Sequence, residues 1–284
     1  MIIDIDPRVD IVFKKLFGSP EHPALTKSFV NAMLDAAGLP IAVDLTIQNP
    51  FRLAEFEGEK SSELDILYKD ASGRDIQLEM QVAAHTGLSQ RMIHNWAQLY
   101  YRQIGKSQDY YSHRPVISIW ILDKAMFRDG HWLHVFRFHC PNTGRMLHED
   151  ASIMTVELPV WVKLNRRPEH GILKIVEKWP YFLTHADGAE CNDIVSALGD
   201  PVFEEAVEIM IEITRSEKMR HAYDMRKNYQ HVIASYKRTG YEEGKAEGLA
   251  DGKAEGIAQG LAEGKAEGKA EGKAEGKAEG KAEG

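Results

Sequence analysis

The chain has 284 residues, with 35 basic against 43 acidic side chains, a formal net charge of −8 and 43% apolar residues. That length and apolar share suit one large globular domain or two small ones. The negative balance argues against a general nucleic-acid coat protein but leaves room for a local basic patch.

Asp6-Pro7 reads as a helix start, with Asp6 capping and Pro7 at the first helical position. Val9, Phe13, Leu16 and Phe17 then form one apolar stripe that Gly18-Ser19-Pro20 ends. A second helix is expected over about 23–37, with Leu25, Phe29, Ala32, Met33 and Ala36 inward and Gly38 at its end. Residues 41–48 alternate around Val43, Leu45 and Ile47 as a strand. A charged loop over 49–60 leads to a hairpin, with Asp65 on its first strand, a turn at Asp70-Ala71-Ser72-Gly73, and Glu79 and Gln81 on the return strand. Side chains two apart on a strand share a face. Glu79 and Gln81 therefore point one way, and Ile76, Leu78, Met80 and Val82 the other.

Spacings of three and four at Met92, Trp96, Leu99 and Gln103 predict a helix over 88–104. The run VISIWIL after Pro115 suits a buried strand. Further strands are expected over 131–139 and 153–159, and helices over 171–179, 202–215 and through His221, Tyr229 and Tyr236. This order predicts an α/β fold with a central mixed sheet flanked by helices. Beyond Tyr241, Gly recurs at every fourth position, and the stretch holds 11 acids and 7 lysines. A four-residue period drifts about 40° per repeat around a helix and builds no fixed apolar face. Each Gly also costs about 1 kcal/mol relative to Ala. The tail is read as a solvated extension, marginally helical or disordered, with a self-association helix and a homo-oligomer as the alternative.

No apolar run approaches the ~18 residues of a membrane span. The start MIIDIDPRVD lacks the plan of a secretory signal, and Cys140 and Cys191 form neither a metal-ligand spacing nor a disulfide framework. A cytoplasmic protein is the expectation. His131, His134, His139 and Cys140 diverge to two faces of a strand, so a strand with mixed faces is expected there rather than a metal site. Phosphate-loop, dinucleotide and nucleophile-elbow motifs are missing, which disfavours nucleotide-driven and serine-hydrolase chemistry. An Asp facing a Glu across a hairpin can hold a divalent metal through hard oxygen ligands. Taken alone, the same pattern also describes a half-buried strand with polar residues outward.

Four segments in order carry a resemblance: Asp10-Ile11-Val12-Phe13-Lys14-Lys15-Leu16-Phe17, Leu64-Asp65-Ile66, Ile76-Gln77-Leu78-Glu79-Met80-Gln81, and Gln90-Arg91 through Tyr100-Tyr101. Over about residues 4–240 the chain resembles the recombination-promoting nuclease / putative transposase family of the PD-(D/E)XK nuclease superfamily, in which a Gly-Glu-rich tail is also typical. The resemblance implies a restriction-endonuclease-like core over 1–165, a helical C-terminal region over 166–240 and the low-complexity tail over 241–284. It implies Asp65 and Glu79 as metal-ligating carboxylates, the Met80 carbonyl as a further ligand, and Asp10 as the acid of the first helix that binds the metal directly or through water, against a polar residue at a helix start. The cofactor would be Mg²⁺, with Mn²⁺ as a substitute, and the partner DNA.

Lys14, Arg91, Arg102 and Lys106 are the candidates for phosphate contacts, against a solvated helix face for the arginines and ordinary surface lysine for Lys14. Gln81 stands where most of the superfamily has Lys; an amide can orient water by hydrogen bonding but adds no positive charge. The function implied is a Mg²⁺-dependent DNA endonuclease of low sequence specificity, linked to recombination, mobile DNA or defence. The rivals are a non-catalytic DNA- or protein-interaction protein on a degenerate nuclease fold, and a phosphodiesterase acting on a nucleotide.

Overall fold

A computed structural model of the protein describes residues 1–49, 66–82, 86–105, 108–165 and 173–282, in two units, Met1–Arg226 and Lys227–Gly284. In the first unit, α1 (Asp10–Gly18) and α2 (Pro23–Ala36) precede β1 (Leu45–Ile47), β2 (Ile66–Asp70) and β3 (Asp75–Gln81). Next come α3 (Leu88–Arg102), β4 (Val116–Leu122), β5 (Leu133–Phe136), β6 (Ala151–Glu157) and α4 (Leu158–Lys163). Then α5 (Ile175–His185), α6 (Cys191–Leu198) and α7 (Pro201–Arg215) follow, and α8 (Glu217–Ala282) begins. The strands form one six-stranded sheet in the order β1-β2-β3-β4-β6-β5. Its centre, β3-β4-β6, is parallel, and β1, β2 and β5 run antiparallel to their neighbours. This is the expected mixed sheet flanked by helices.

A parallel pair needs a crossover, and α3 supplies it between β3 and β4. Because helices then cover both faces, every residue of β3 and β4 is buried. On one face Ile76, Leu78, Met80, Ile119 and Ile121 join Phe13, Phe17 and Phe29 in the main core. Trp179 lies in that core with its ring centroid 4.6 Å from Phe203 and 5.4 Å from Phe17. On the other face Leu88 and Met92 pack against Trp120 and Leu122, and Trp96 against Val116 and Ala151. As its helical spacing suggests, Trp96 is core, and its Nε1 donates to the Val116 carbonyl at 2.9 Å.

Several local expectations change. Asp6 does not cap α1, which starts at Asp10 after Val9. Instead the Asp6 carboxylate accepts from the Arg8 amide at 2.9 Å and pairs with the Arg8 guanidinium at 2.8 Å, folding residues 6–9 into a turn. β1 shrinks to three residues with Val43 exposed, and Ala36 is exposed while Leu34 is buried. Helix α5 continues through Pro180, because Trp179, Phe182 and Leu183 are all core side chains whose burial outweighs one missing backbone bond.

The hairpin turn is built on the Asp70 carboxylate. Oδ1 accepts from the Ser72 amide, the Ser72 hydroxyl and the Arg74 amide at 2.8–2.9 Å, and Oδ2 pairs with Arg74 Nε at 2.6 Å. Gly73 at φ +85° occupies the left-handed position that closes the turn. The resulting register sets Ile66 opposite Leu78. In the second unit the helix extends to Ala282, and every described side chain from Ala234 onward is exposed.

Candidate active site

Strand alternation puts Gln77, Glu79 and Gln81 on the α3 face of the sheet. That face is not solvated, as a half-buried strand with polar residues outward would have it. Glu79 is 0% exposed and Gln81 5%. A buried carboxylate is costly unless paired and hydrogen-bonded. The pairing comes from the first turns of α3: Arg91 Nη2 donates to Glu79 Oε1 at 2.7 Å, and Arg91 Nη1 donates to Gln81 Oε1 at 3.0 Å. The guanidinium lies 5.6 Å from the centroid of the Trp120 ring, which is itself held by a 2.7 Å bond from Nε1 to Ser118 Oγ. Ser118 in turn donates to Gln77 Oε1 at 2.6 Å, so one polar row runs along this face. Glu79 Oε2 is buried with no hydrogen-bond partner among the described residues.

The parallel register brings Gln81, Leu122 and Glu157 to one edge of the sheet, at the C-terminal ends of β3, β4 and β6. Such ends are where open α/β sheets bind ligands. Asp123, directly after β4, donates its amide to the Gln81 carbonyl at 3.0 Å, and its carboxylate accepts from Arg8 at 2.8 Å. Burial pushes the Asp123 carboxyl above its usual value, despite the neighbouring Arg8. Glu157 is 0% exposed and accepts from the Met126 amide at 2.8 Å, anchoring the loop that follows Asp123. Neither acid belongs to a motif that the sequence alone brings forward. The available signal is an acid at the end of an apolar strand run, which marks the mouth of a parallel sheet.

Asp10 is buried at the start of α1, where Oδ1 accepts from the Ile11 amide and Oδ2 lies 3.7 Å from Arg226 Nε. Arg8, two residues earlier, reaches Asp123, so the segment leading into α1 is tied to the β3–β4 edge. Met80 points its side chain into the core on the opposite face, which leaves only its backbone for the site. Lys14 is half-buried, and Lys15 pairs with Glu21 at 3.0 Å. Arg102 is exposed at the last residue of α3. Eleven residues of helix, about 16 Å, separate it from Arg91, so the two do not serve one phosphate. Asp65 and Lys106 lie outside the described residues.

Of the nearby aromatics, Tyr101 is 81% exposed, whereas Tyr100 stacks on Trp96 and His113 and donates to Asp150 at 2.8 Å. Burial, then the bond to Asp150, pushes the Tyr100 hydroxyl up to about 12. At the Glu157 end of this edge, His134 pairs with Asp129 at 3.0 Å and lies 3.7 Å from Glu157. Among the described residues no group of three or more His, Cys, Asp or Glu side chains is arranged to hold a metal ion. Nor, among them, is any helix long and apolar enough to cross a membrane.

The donor set nevertheless suits a divalent cation. Glu79 presents a buried carboxylate oxygen with no hydrogen-bond partner among the described residues, the hard ligand such an ion takes. Comparison with known proteins agrees with this chemistry: the family described as PD-(D/E)XK nuclease family transposase matches residues 7–240. No curated protein and no solved structure matches the chain.

Proposed function

The chain belongs to the PD-(D/E)XK nuclease family transposases, and from that premise we propose that it is a metal-dependent endonuclease hydrolysing DNA phosphodiester bonds. The observation that carries the reading is the fully buried Glu79 with one oxygen on Arg91 and the other without a partner among the described residues. A buried anion left in that state is stabilised by a cation bound at its open oxygen. Glu79 Oε2, a carboxylate oxygen of Asp65 and the Met80 carbonyl would hold Mg²⁺, with Mn²⁺ as a substitute. Asp65 immediately precedes Ile66, whose strand partner is Leu78, the neighbour of Glu79. The ion would act as a Lewis acid on the phosphate and lower the pKa of a water beside it.

The protein's own contributions follow from the side chains. Gln81 orients the attacking water through its amide. Asp10, close to Arg226, supports the edge from α1. Lys14, Arg102 and Lys106 contact neighbouring phosphates and set the register of the duplex. Residues 1–165 constitute the nuclease core, 166–240 its helical appendage and 241–284 a separate tail. Without a basic recognition helix in the sequence, cleavage has low sequence specificity, in keeping with a role in recombination, mobile DNA or defence.

The test is plasmid nicking with Mg²⁺, Mn²⁺ or EDTA by wild type, Asp65→Ala and Glu79→Ala, with far-ultraviolet circular dichroism to check folding. The expected result is metal-dependent nicking that both substitutions abolish. Nicking that survives both would remove the site from β3, and a wild type that cuts with no metal would end the reading.

A further inference from the structure

Arg91 is neither a free phosphate-binding arginine nor an ordinary surface ion pair. Its anionic partner is fully buried, while its own side chain is 42% exposed. The positive charge therefore sits at the open side of an otherwise enclosed carboxylate. The same guanidinium reaches the amide of Gln81, two residues along the strand. A guanidinium carries only donors, so it must meet that amide at Oε1, which makes the Nε2 end the donor end. The Trp120 ring backs the guanidinium on one side.

We propose that Arg91 is the cationic member of this site, delivered from α3, and that it positions Gln81 so that its amide offers donors to a phosphate oxygen or an attacking water. Before a metal binds, Arg91 balances Glu79; afterwards its charge faces the scissile phosphate. The inference rests on the nuclease reading and identifies the residue that supplies the charge Gln81 lacks.

The experiment uses the full chain as wild type, Arg91→Met, Arg91→Lys, and Arg91→Met combined with Gln81→Lys. Melting is followed in EDTA and in saturating Mn²⁺, and plasmid nicking is measured as kcat and KM. Arg91→Met is expected to melt below wild type in EDTA and to gain more from Mn²⁺ than wild type does, because the metal replaces the missing charge. Its kcat should fall about 10²–10³-fold, the usual loss on removing one preorganised donor, with KM changed less. Adding Gln81→Lys should recover at least about tenfold of that loss, which a purely structural arginine would not allow. Arg91→Lys keeps the charge without the fork; it should match wild type in its Mn²⁺ melting gain and still lose kcat. It carries the test if the methionine variant does not fold.

Equal Mn²⁺ gains in wild type and Arg91→Met, or no recovery with Gln81→Lys, would overturn the proposal. A wild type that cuts no DNA in any metal defeats the nuclease reading separately, and the melting comparison then still decides whether Arg91 is the charge partner of Glu79.

Discussion

Asp70→Ala tests whether the hairpin turn sets the register on which the candidate site depends. Asp70 and Arg74 have side chains 2% and 10% exposed and meet at 2.6 Å. The same carboxylate also accepts from the Ser72 amide, the Ser72 hydroxyl and the Arg74 amide. Removing it strands a buried guanidinium whose remaining bonds go to the carbonyls of Pro40 and Ile41. Breaking a buried pair from one side costs about 3–5 kcal/mol. For a unit of this size that corresponds to roughly 6–20 °C in Tm. Urea unfolding followed by circular dichroism measures it, and Arg74→Ala with the double variant gives the coupling between the two residues.

The pH dependence has a definite sign. Burial pushes the Asp70 carboxyl up, but the bonds from Ser72 and Arg74 together outweigh this and hold it below its ordinary value of 3.8. The unfolded chain thus takes up protons first. The stability Asp70 contributes is fully present above the ordinary carboxylate range and is lost as pH falls through the lower folded value. Wild type should accordingly lose part of its advantage over Asp70→Ala in acid. A cost below about 1 kcal/mol at neutral pH, the level of an exposed pair, or an advantage that grows in acid, would refute the reasoning.

Other expectations concern packing and the tail. Trp179→Ala empties a fully buried position among Phe17, Phe29, Phe182 and Phe203; urea titration should show a loss of about 3–5 kcal/mol. Tyr100→Phe removes the 2.8 Å bond to Asp150 while keeping both ring stacks, so the same titration should register about 1 kcal/mol. In the tail, Gly244, Gly248, Gly252 and Gly256 have open space where a Cβ would go. Changing all four to Ala should add about 1 kcal/mol each to helix formation, visible as a stronger far-ultraviolet helix signal. The melting of the first unit should move by less than about 1 °C.

Much of the fold is legible in the sequence because it depends on local periodicity. The stripe Val9, Phe13, Leu16 and Phe17 is buried as spaced, and Asp200-Pro201 opens α7 within one residue of the expected start. The hairpin follows from Asp70-Ala71-Ser72-Gly73, since a carboxylate that binds its own turn and a Gly at positive φ need no distant partner. Alternation along β3 likewise separates Glu79 and Gln81 from Ile76, Leu78 and Met80, because a period of two is a property of the strand itself.

What alternation cannot decide is whether the polar face of β3 meets water. Strand period assigns residues to two faces but says nothing of what covers each, and only the crossover through α3 buries Glu79. The same crossover makes Arg91 the partner of Glu79 and Gln81, 12 and 10 residues away. Asp123 and Glu157 reach the site edge only because β3, β4 and β6 are parallel and in register. Asp6 departs from its expected capping role for a related reason: its carboxylate is held by Arg8, which is held in turn by Asp123, 115 residues on. The sequence by itself determined the elements and which residues share a face, through spacings of two to four. The tertiary structure decided burial, ion-pair partners and the assembly of the edge, because those energies depend on neighbours far along the chain.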